Sequence, residues 1–153
     1  TYDVVIIDVP DPLEGGPAAA LYTAEFYGLL RRRLSDGGLM VAQAGPTGPA
    51  LYEQCFAAVA NTVATVFDNT GAYDAFVPSF GSTWGFVVGS TGPDPSALTA
   101  DDVDARLRER VRARLRYYDG LTHSGMFALP KFLREAVEAE ERVITRADPL
   151  FVT

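Results

Sequence analysis

Residues 2–12 read Tyr-Asp-Val-Val-Ile-Ile-Asp-Val-Pro-Asp-Pro, and this stretch decides the fold class. Tyr2–Ile7 is a short, β-branched, apolar run, the pattern of a strand buried on both faces of a parallel sheet. Asp8 ends it, and Pro10, Pro12, Gly15, Gly16 and Pro17 force a loop. Working outward, Thr23 can cap a helix with Glu25 in its first turn. Phe26, Leu29, Leu30 and Leu34 supply the stripe, and Gly37-Gly38 supplies the stop. Residues 39–43 read as a second strand, and residues 45–49 as loop. Over residues 50–67, Leu51, Cys55, Val59, Val63 and Val66 recur at helical spacing. Residues 72–77 form a third strand stopped by Pro78, and residues 83–89 a fourth. Strand-helix-strand-helix-strand-strand implies an α/β protein: a mainly parallel sheet flanked by helices, closed by a hairpin-like antiparallel strand.

Downstream, residues 92–98 form a linker. Thr99-x-x-Asp102 then resembles a capping box, with Asp in place of the usual Glu. Val103, Leu107, Val111 and Leu115 recur every four residues, while Arg occupies every even position from 106 to 116. That alternation also fits a strand; the Ala, Leu, Arg and Glu content and the cap favour a helix. A final helix is expected from about Pro130 to Arg142. The organisation is residues 1–95 as sheet domain and residues 96–153 as its helical extension.

Composition narrows the function. At 153 residues and 48% apolar, the chain builds one core. A single Cys excludes an internal disulfide framework, and one His with one Cys argues against a zinc site. Apolar runs are too short to span a bilayer and no signal segment opens the chain, so a soluble, cytoplasmic protein without membrane partners is expected. The chain opens on Thr rather than Met, and a piece of something longer is expected. Residues 1–95 hold ten acids against three arginines, whereas residues 96–153 hold ten of each. The whole net charge of −7 therefore sits in the first segment, which disfavours nucleic acid and attracts cations. The arginine run, interleaved with Asp101, Asp102, Asp104 and Glu109, reads as a solvated, salt-bridged face.

The sharpest local feature is Asp8-Val9-Pro10-Asp11-Pro12. Ligands of open parallel sheets bind outside the carboxyl ends of the strands, where two carboxylates can bind an amine or act as a base. Loop aspartates that merely cap a turn fit the spacing as well. Gln43 ends the second strand and either meets a ligand or is an amide satisfied at the edge of the core. Phe76, Phe80, Trp84 and Phe86 form either core or an aromatic wall suited to an alkylammonium ligand. His123 has no nucleophile partner nearby in sequence and reads as ordinary, and Cys55 reads as a buried structural thiol. No Walker-type loop and no G-x-G-x-x-G follows a strand, so the glycine-rich turn of a nucleotide site is missing.

Read together, YDVVIIDVPDP, LYTAEFYGLLRRRLSDGGLMVAQAG, VPSFGSTWGFVVGS and LRYYDGLTHSGMFALPKFLREA resemble, in order, the C-terminal part of the spermidine synthase family. DPLEGGPAAALYT, QAGPTG and STWGFVVGS are most similar to thermospermine synthases, and the ending DPLFVT is similar to bacterial aminopropyltransferases of broad polyamine specificity.

The resemblance implies the C-terminal half of a doubly wound, Rossmann-like sheet of the class I methyltransferase type, entered at its fourth strand. It implies transfer of an aminopropyl group from decarboxylated S-adenosylmethionine to a polyamine, releasing methylthioadenosine, with no metal or cofactor. Asp8 then matches the proton-accepting aspartate and Asp11 the carboxylate holding the acceptor's distal amine. Gln43 matches a glutamine lining the acceptor groove, Trp84 belongs to the same groove, and Pro17 matches a residue contacting the thioadenosine. Phe80 falls where many relatives carry a Tyr that hydrogen-bonds the acceptor, so one polar contact is lost. The family places a β-rich domain and a glycine-rich donor loop upstream, so this chain alone is expected to bind donor weakly and to be inactive. A homo-oligomer is implied for the longer protein. A methyltransferase-like domain and a non-catalytic interaction subunit are the alternatives.

Overall fold

Parallel pairing of Tyr2–Ile7 (β1) with Leu34–Pro46 (β2) frames the computed structural model, which describes residues 1–152. Asn69–Val77 (β3) and Ser82–Ser90 (β4) complete one four-stranded sheet in the order β1-β2-β4-β3. β4 runs antiparallel to both its neighbours, Ala42 facing Val87 on one side and Ala72 facing Val87 on the other. Three strands therefore share a direction and β4 alone opposes them, as expected. It is inserted between β2 and β3 rather than added at the rim.

One face of the sheet is the core. Met40, Ala42 and Ala44 of β2 and Val87 of β4 are fully buried with Phe56, Val59 and Val63 of helix α2 (Phe56–Ala64). Helix α1 (Ala24–Arg31) also packs against β2, and helix α5 (Lys131–Ala139) against α2. Thr23 caps α1 by accepting from the Phe26 amide at 3.3 Å. Past α5, Ile144 is fully buried: its amide donates to Thr62 Oγ1 at 2.9 Å and its carbonyl accepts from Ala24.

Several expectations change. β1 is not buried on both faces: Val4 is 55% and Ile6 73% exposed, because β1 is an edge strand and no helix among the described residues covers its outer face. α1 stops at Arg31 rather than at the glycines. Leu34 is buried opposite Tyr2 as the first residue of β2, and the Tyr2 amide bonds Arg33 O. The Ser-Asp-Gly-Gly segment instead forms an irregularity inside β2.

Downstream, the capping box forms as read: Thr99 and Asp102 bond reciprocally at the start of helix α3 (Ala100–Arg110). The helix ends at Arg110, before the last two residues of the apolar stripe. Of its stripe Val103 is buried, but Val111 and Leu115 meet no packed surface, and residues 111–117 are irregular and exposed. The arginine run is solvated, but none of its members pairs with an acid among the described residues. Asp102 is committed to the cap and Asp104 accepts the Gly120 amide at 2.8 Å. A helix that the periodicity did not suggest, α4 (Gly120–Phe127), starts at Asp119, whose carboxylate accepts from the Thr122 amide. α5 begins at Lys131 with Pro130 just ahead of it, and ends at Ala139 rather than near Arg142.

α3 and α4 meet backbone to backbone at Gly120, where a Cβ would lie 2.1 Å from Ala100 O. Gly120→Ala is expected to part the two helices and lower unfolding stability by ~1–3 kcal/mol or more, read as a shift in denaturant midpoint at unchanged slope. No helix among the described residues is long and apolar enough to cross a membrane.

Candidate active site

The second face of the sheet is covered only in part, and the uncovered part is the site. α4 lays Phe127 over Gly71 and Tyr73 of β3, leaving the carboxyl ends of β1, β2 and β3 open. There a cavity of about 780 Å³ is lined by Asp8 and Asp11 on one side, Gln43 beneath, and Tyr73, Phe80, Trp84 and Phe86 opposite. Its position obeys the rule for open α/β sheets.

Local sequence explains each wall. β1 delivers Asp8 at its end, exposed. The Pro10–Pro12 segment turns the chain so that Asp11, half-buried, faces the same space. On β4, alternation sends Trp84 and Phe86 to this face, and register brings Tyr73 of β3 opposite Phe86. Tyr73 and Phe86 stack with centroids 5.1 Å apart and planes 17° from parallel. Phe80, in the β3–β4 turn and 59% exposed, leans on Trp84 at 4.6 Å. Phe76, also singled out by its type, is 55% exposed and outside the lining.

Gln43 is 6% exposed, and its amide is fully engaged. Its Oε1 accepts from the Trp84 indole N–H at 2.7 Å and from the Gly45 amide at 2.9 Å. Gly45 has φ +82°, a conformation favourable only to glycine, and that turn aims its N–H back at Gln43. The Gln43 Nε2 donates to Val9 O at 2.8 Å, to Asp11 Oδ1 at 3.1 Å and to the Tyr22 hydroxyl. The edge-of-core alternative therefore describes its bonding, even though it borders the cavity.

Asp8, Asp11, Gln43, Phe80 and Trp84 thus converge on one cavity. Pro17 does not: it opens a 3-10 helix (Pro17–Tyr22), is exposed, and lies outside the lining. Two participants escaped the sequence reading. Tyr73 was findable by counting β3 outward from Phe86. Tyr22 carried no local signal, because its partners lie twelve and twenty-one residues away. Burial pushes the Tyr22 hydroxyl far above the ordinary phenol range, with the charges of Asp11 and Asp8 adding to it, and it is held neutral. Burial likewise raises Tyr73. The Cys55 thiol is pushed up to about 12, chiefly by burial, and is inert packing as read. His123 is buried, with one ring nitrogen on the Tyr118 hydroxyl and the other on Pro95 O, again structural.

Chemically, the cavity offers two carboxylates, no basic side chain, and a wall of aromatic faces. A cation at the end of an aliphatic chain fits it: carboxylates attract the charge, and aromatic faces accept both methylenes and an ammonium.

Comparisons with known proteins agree on one family. The Spermine/spermidine synthase domain matches residues 1–98. Polyamine aminopropyltransferase 2 of Hyperthermus butylicus is 42% identical over 99% of this chain, and the polyamine aminopropyltransferase of Sulfolobus acidocaldarius is 40% identical over 97%. The chain spans about half the length of these curated relatives, 49% of each. Among solved structures, a spermidine synthase in complex with the transition state analogue AdoDATO superposes with a TM-score of 0.74 at 27% identity, covering 91% of this chain and 45% of the other. The spermidine synthase of Thermotoga maritima gives 0.71 over 91% and 44%.

Proposed function

The chain belongs to the spermine/spermidine synthase family, and from that premise we propose that it carries the acceptor half of a polyamine aminopropyltransferase. The observation that carries this reading is the cavity itself: Asp8 and Asp11 at one end of an aromatic groove without a single basic residue. A polyamine is an aliphatic chain with several ammonium groups, and this groove complements both parts.

In the proposed mechanism the acceptor amine, with a pKa near ~10 like a lysine, arrives protonated. Asp8 takes a proton from the reacting nitrogen, and Asp11 holds a remote ammonium. The nitrogen lone pair attacks the aminopropyl carbon next to the sulfonium of decarboxylated S-adenosylmethionine. The C–N bond forms and the C–S bond breaks, its electron pair leaving with sulfur as neutral methylthioadenosine. A sulfonium is already an excellent leaving group, so the step calls for neither a metal nor a cofactor. Alignment of nitrogen, carbon and sulfur within ~3–3.5 Å is the larger task.

Phe80, without a hydroxyl, offers the acceptor only a ring face, and we assign it with Trp84 to the methylene segment. We place the donor's adenosine beyond Asp8, toward the unpaired edge of β1. We assign Pro17, outside the acceptor cavity, to the donor. Thermospermine-type specificity, a cytoplasmic location and a homo-oligomeric longer protein complete the reading.

Product analysis of the natural protein with each donor tests it. The expected result is an amine heavier by one aminopropyl group when decarboxylated donor is supplied. A methylated amine from S-adenosylmethionine would replace this reading with the methyltransferase alternative. No product from either donor would favour an interaction subunit.

A further inference from the structure

We propose that Tyr22 and Gln43 are a buried positioning clamp, which sets the Asp8–Asp11 loop and Trp84 before an amine arrives, and that Gln43 does not itself contact the amine. The proposal rests on the acceptor-groove reading only for its kinetic consequences; the clamp stands on geometry alone.

The orientation of the Gln43 amide follows from its neighbours. The Trp84 indole N–H and the Gly45 amide N–H can only donate, so the oxygen must face them; the Val9 carbonyl and Asp11 carboxylate can only accept, so the nitrogen must face those. Both oxygen lone pairs are used, and the two amide hydrogens already serve three acceptors. Nothing is left over for a ligand. At 6% exposure the group shows the cavity only a small part of its surface.

Tyr22 closes the arrangement from behind. It is 1% exposed, and its hydroxyl accepts from Gln43 and donates to Pro10 O at 3.2 Å, with Val9 O at 3.5 Å. One phenol thereby grips the backbone between the two carboxylates. Through Gln43 it also reaches the Asp11 side chain and the indole across the groove. Held neutral by burial, it donates across the physiological pH range.

The two roles for Gln43 predict opposite signs for one substitution. If Gln43 met a cationic amine, Gln43→Glu would add a carboxylate to the groove and lower the amine KM. As a clamp, the new carboxylate confronts Asp11, the two compete for one proton, and the amine KM rises about tenfold or more. Tyr22→Phe, which changes one hydroxyl, is expected to raise the amine KM about 2- to 10-fold while the donor KM stays put.

A readout independent of turnover uses the Trp84 indole, assigned by the resonance that a Trp84→Phe variant loses. The ¹⁵N-labelled indole N–H resonance of Trp84 should hold its hydrogen-bonded position when spermidine is titrated in, and move in Gln43→Leu. A spermidine-induced shift matching that of Gln43→Leu, or a lowered amine KM in Gln43→Glu, overturns the clamp. Failure of the wild-type protein to aminopropylate any amine would instead count against the proposed function, and leaves the indole measurement to decide the clamp.

Discussion

Asp8→Asn is expected to lower turnover by about 10²- to 10⁴-fold, the range that a positioned general base contributes. The substitution is nearly isosteric and the side chain sits exposed at the end of β1, so the fold has no stake in it. The amide cannot take a proton from an ammonium, so only the small neutral fraction of amine reacts. Donor and acceptor affinities are expected to stay near wild type, since the remote ammonium still meets Asp11. Single-turnover kinetics at saturating amine measures the chemical step. Turnover within a few-fold of wild type would remove Asp8 from the role.

Asp11→Asn should act on binding instead. A hydrogen bond to a charged group is worth ~1.5–3 kcal/mol, so the amine KM is expected to rise about 10- to 150-fold with a smaller loss in kcat. The change also disturbs the Gln43 amide, whose Nε2 donates to Asp11 at 3.1 Å. Gln43 keeps Val9 O and the Tyr22 hydroxyl as acceptors, which limits the structural part of the loss. The contrast between the variants separates the roles: one carboxylate moves kcat, the other KM. Equal effects on both parameters from both substitutions would mean that the pair acts as a single charge.

How far the sequence reached depended on whether a feature is local. Asp8 was legible because a β-branched run stops there against proline, and strand-to-loop junctions of that kind carry ligand sites in α/β sheets. The caps at Thr23 and at Thr99 with Asp102 were legible because their partners sit three residues away. The exposure of β1 was not, since the same apolar string serves a central or an edge strand, and only sheet order distinguishes them. The early end of α3 reflects missing packing under Val111 and Leu115, which periodicity cannot see. α4 hid behind Gly120 and Gly125, both poor helix formers, of which Gly120 is required for its close approach to Ala100. Gln43 illustrates the limit most sharply. Its type and place suggested a ligand contact, but its Tyr22, Asp11 and Trp84 partners are 21, 32 and 41 residues distant, so its satisfaction is a tertiary fact.

From that same distribution the site is expected to resist substitution at its rear and to tolerate it at its front. Gln43 and Tyr22 are buried and fully bonded, whereas Phe80 is mostly exposed at a turn and carries no hydrogen bond through its ring. Differences in acceptor preference should therefore gather at Phe80 and its neighbours.

In the proposed function this cavity binds a polyamine and deprotonates it for attack on a sulfonium donor. The most direct measurement is the paired yield of methylthioadenosine and aminopropylated amine from the natural protein and its Asp8→Asn variant, each given decarboxylated donor and spermidine. The expected result is one methylthioadenosine per aminopropylated product in the wild type, and the loss of both together in the variant while spermidine still binds. Equal yields from the two proteins, or methylthioadenosine released without an alkylated amine, would contradict it.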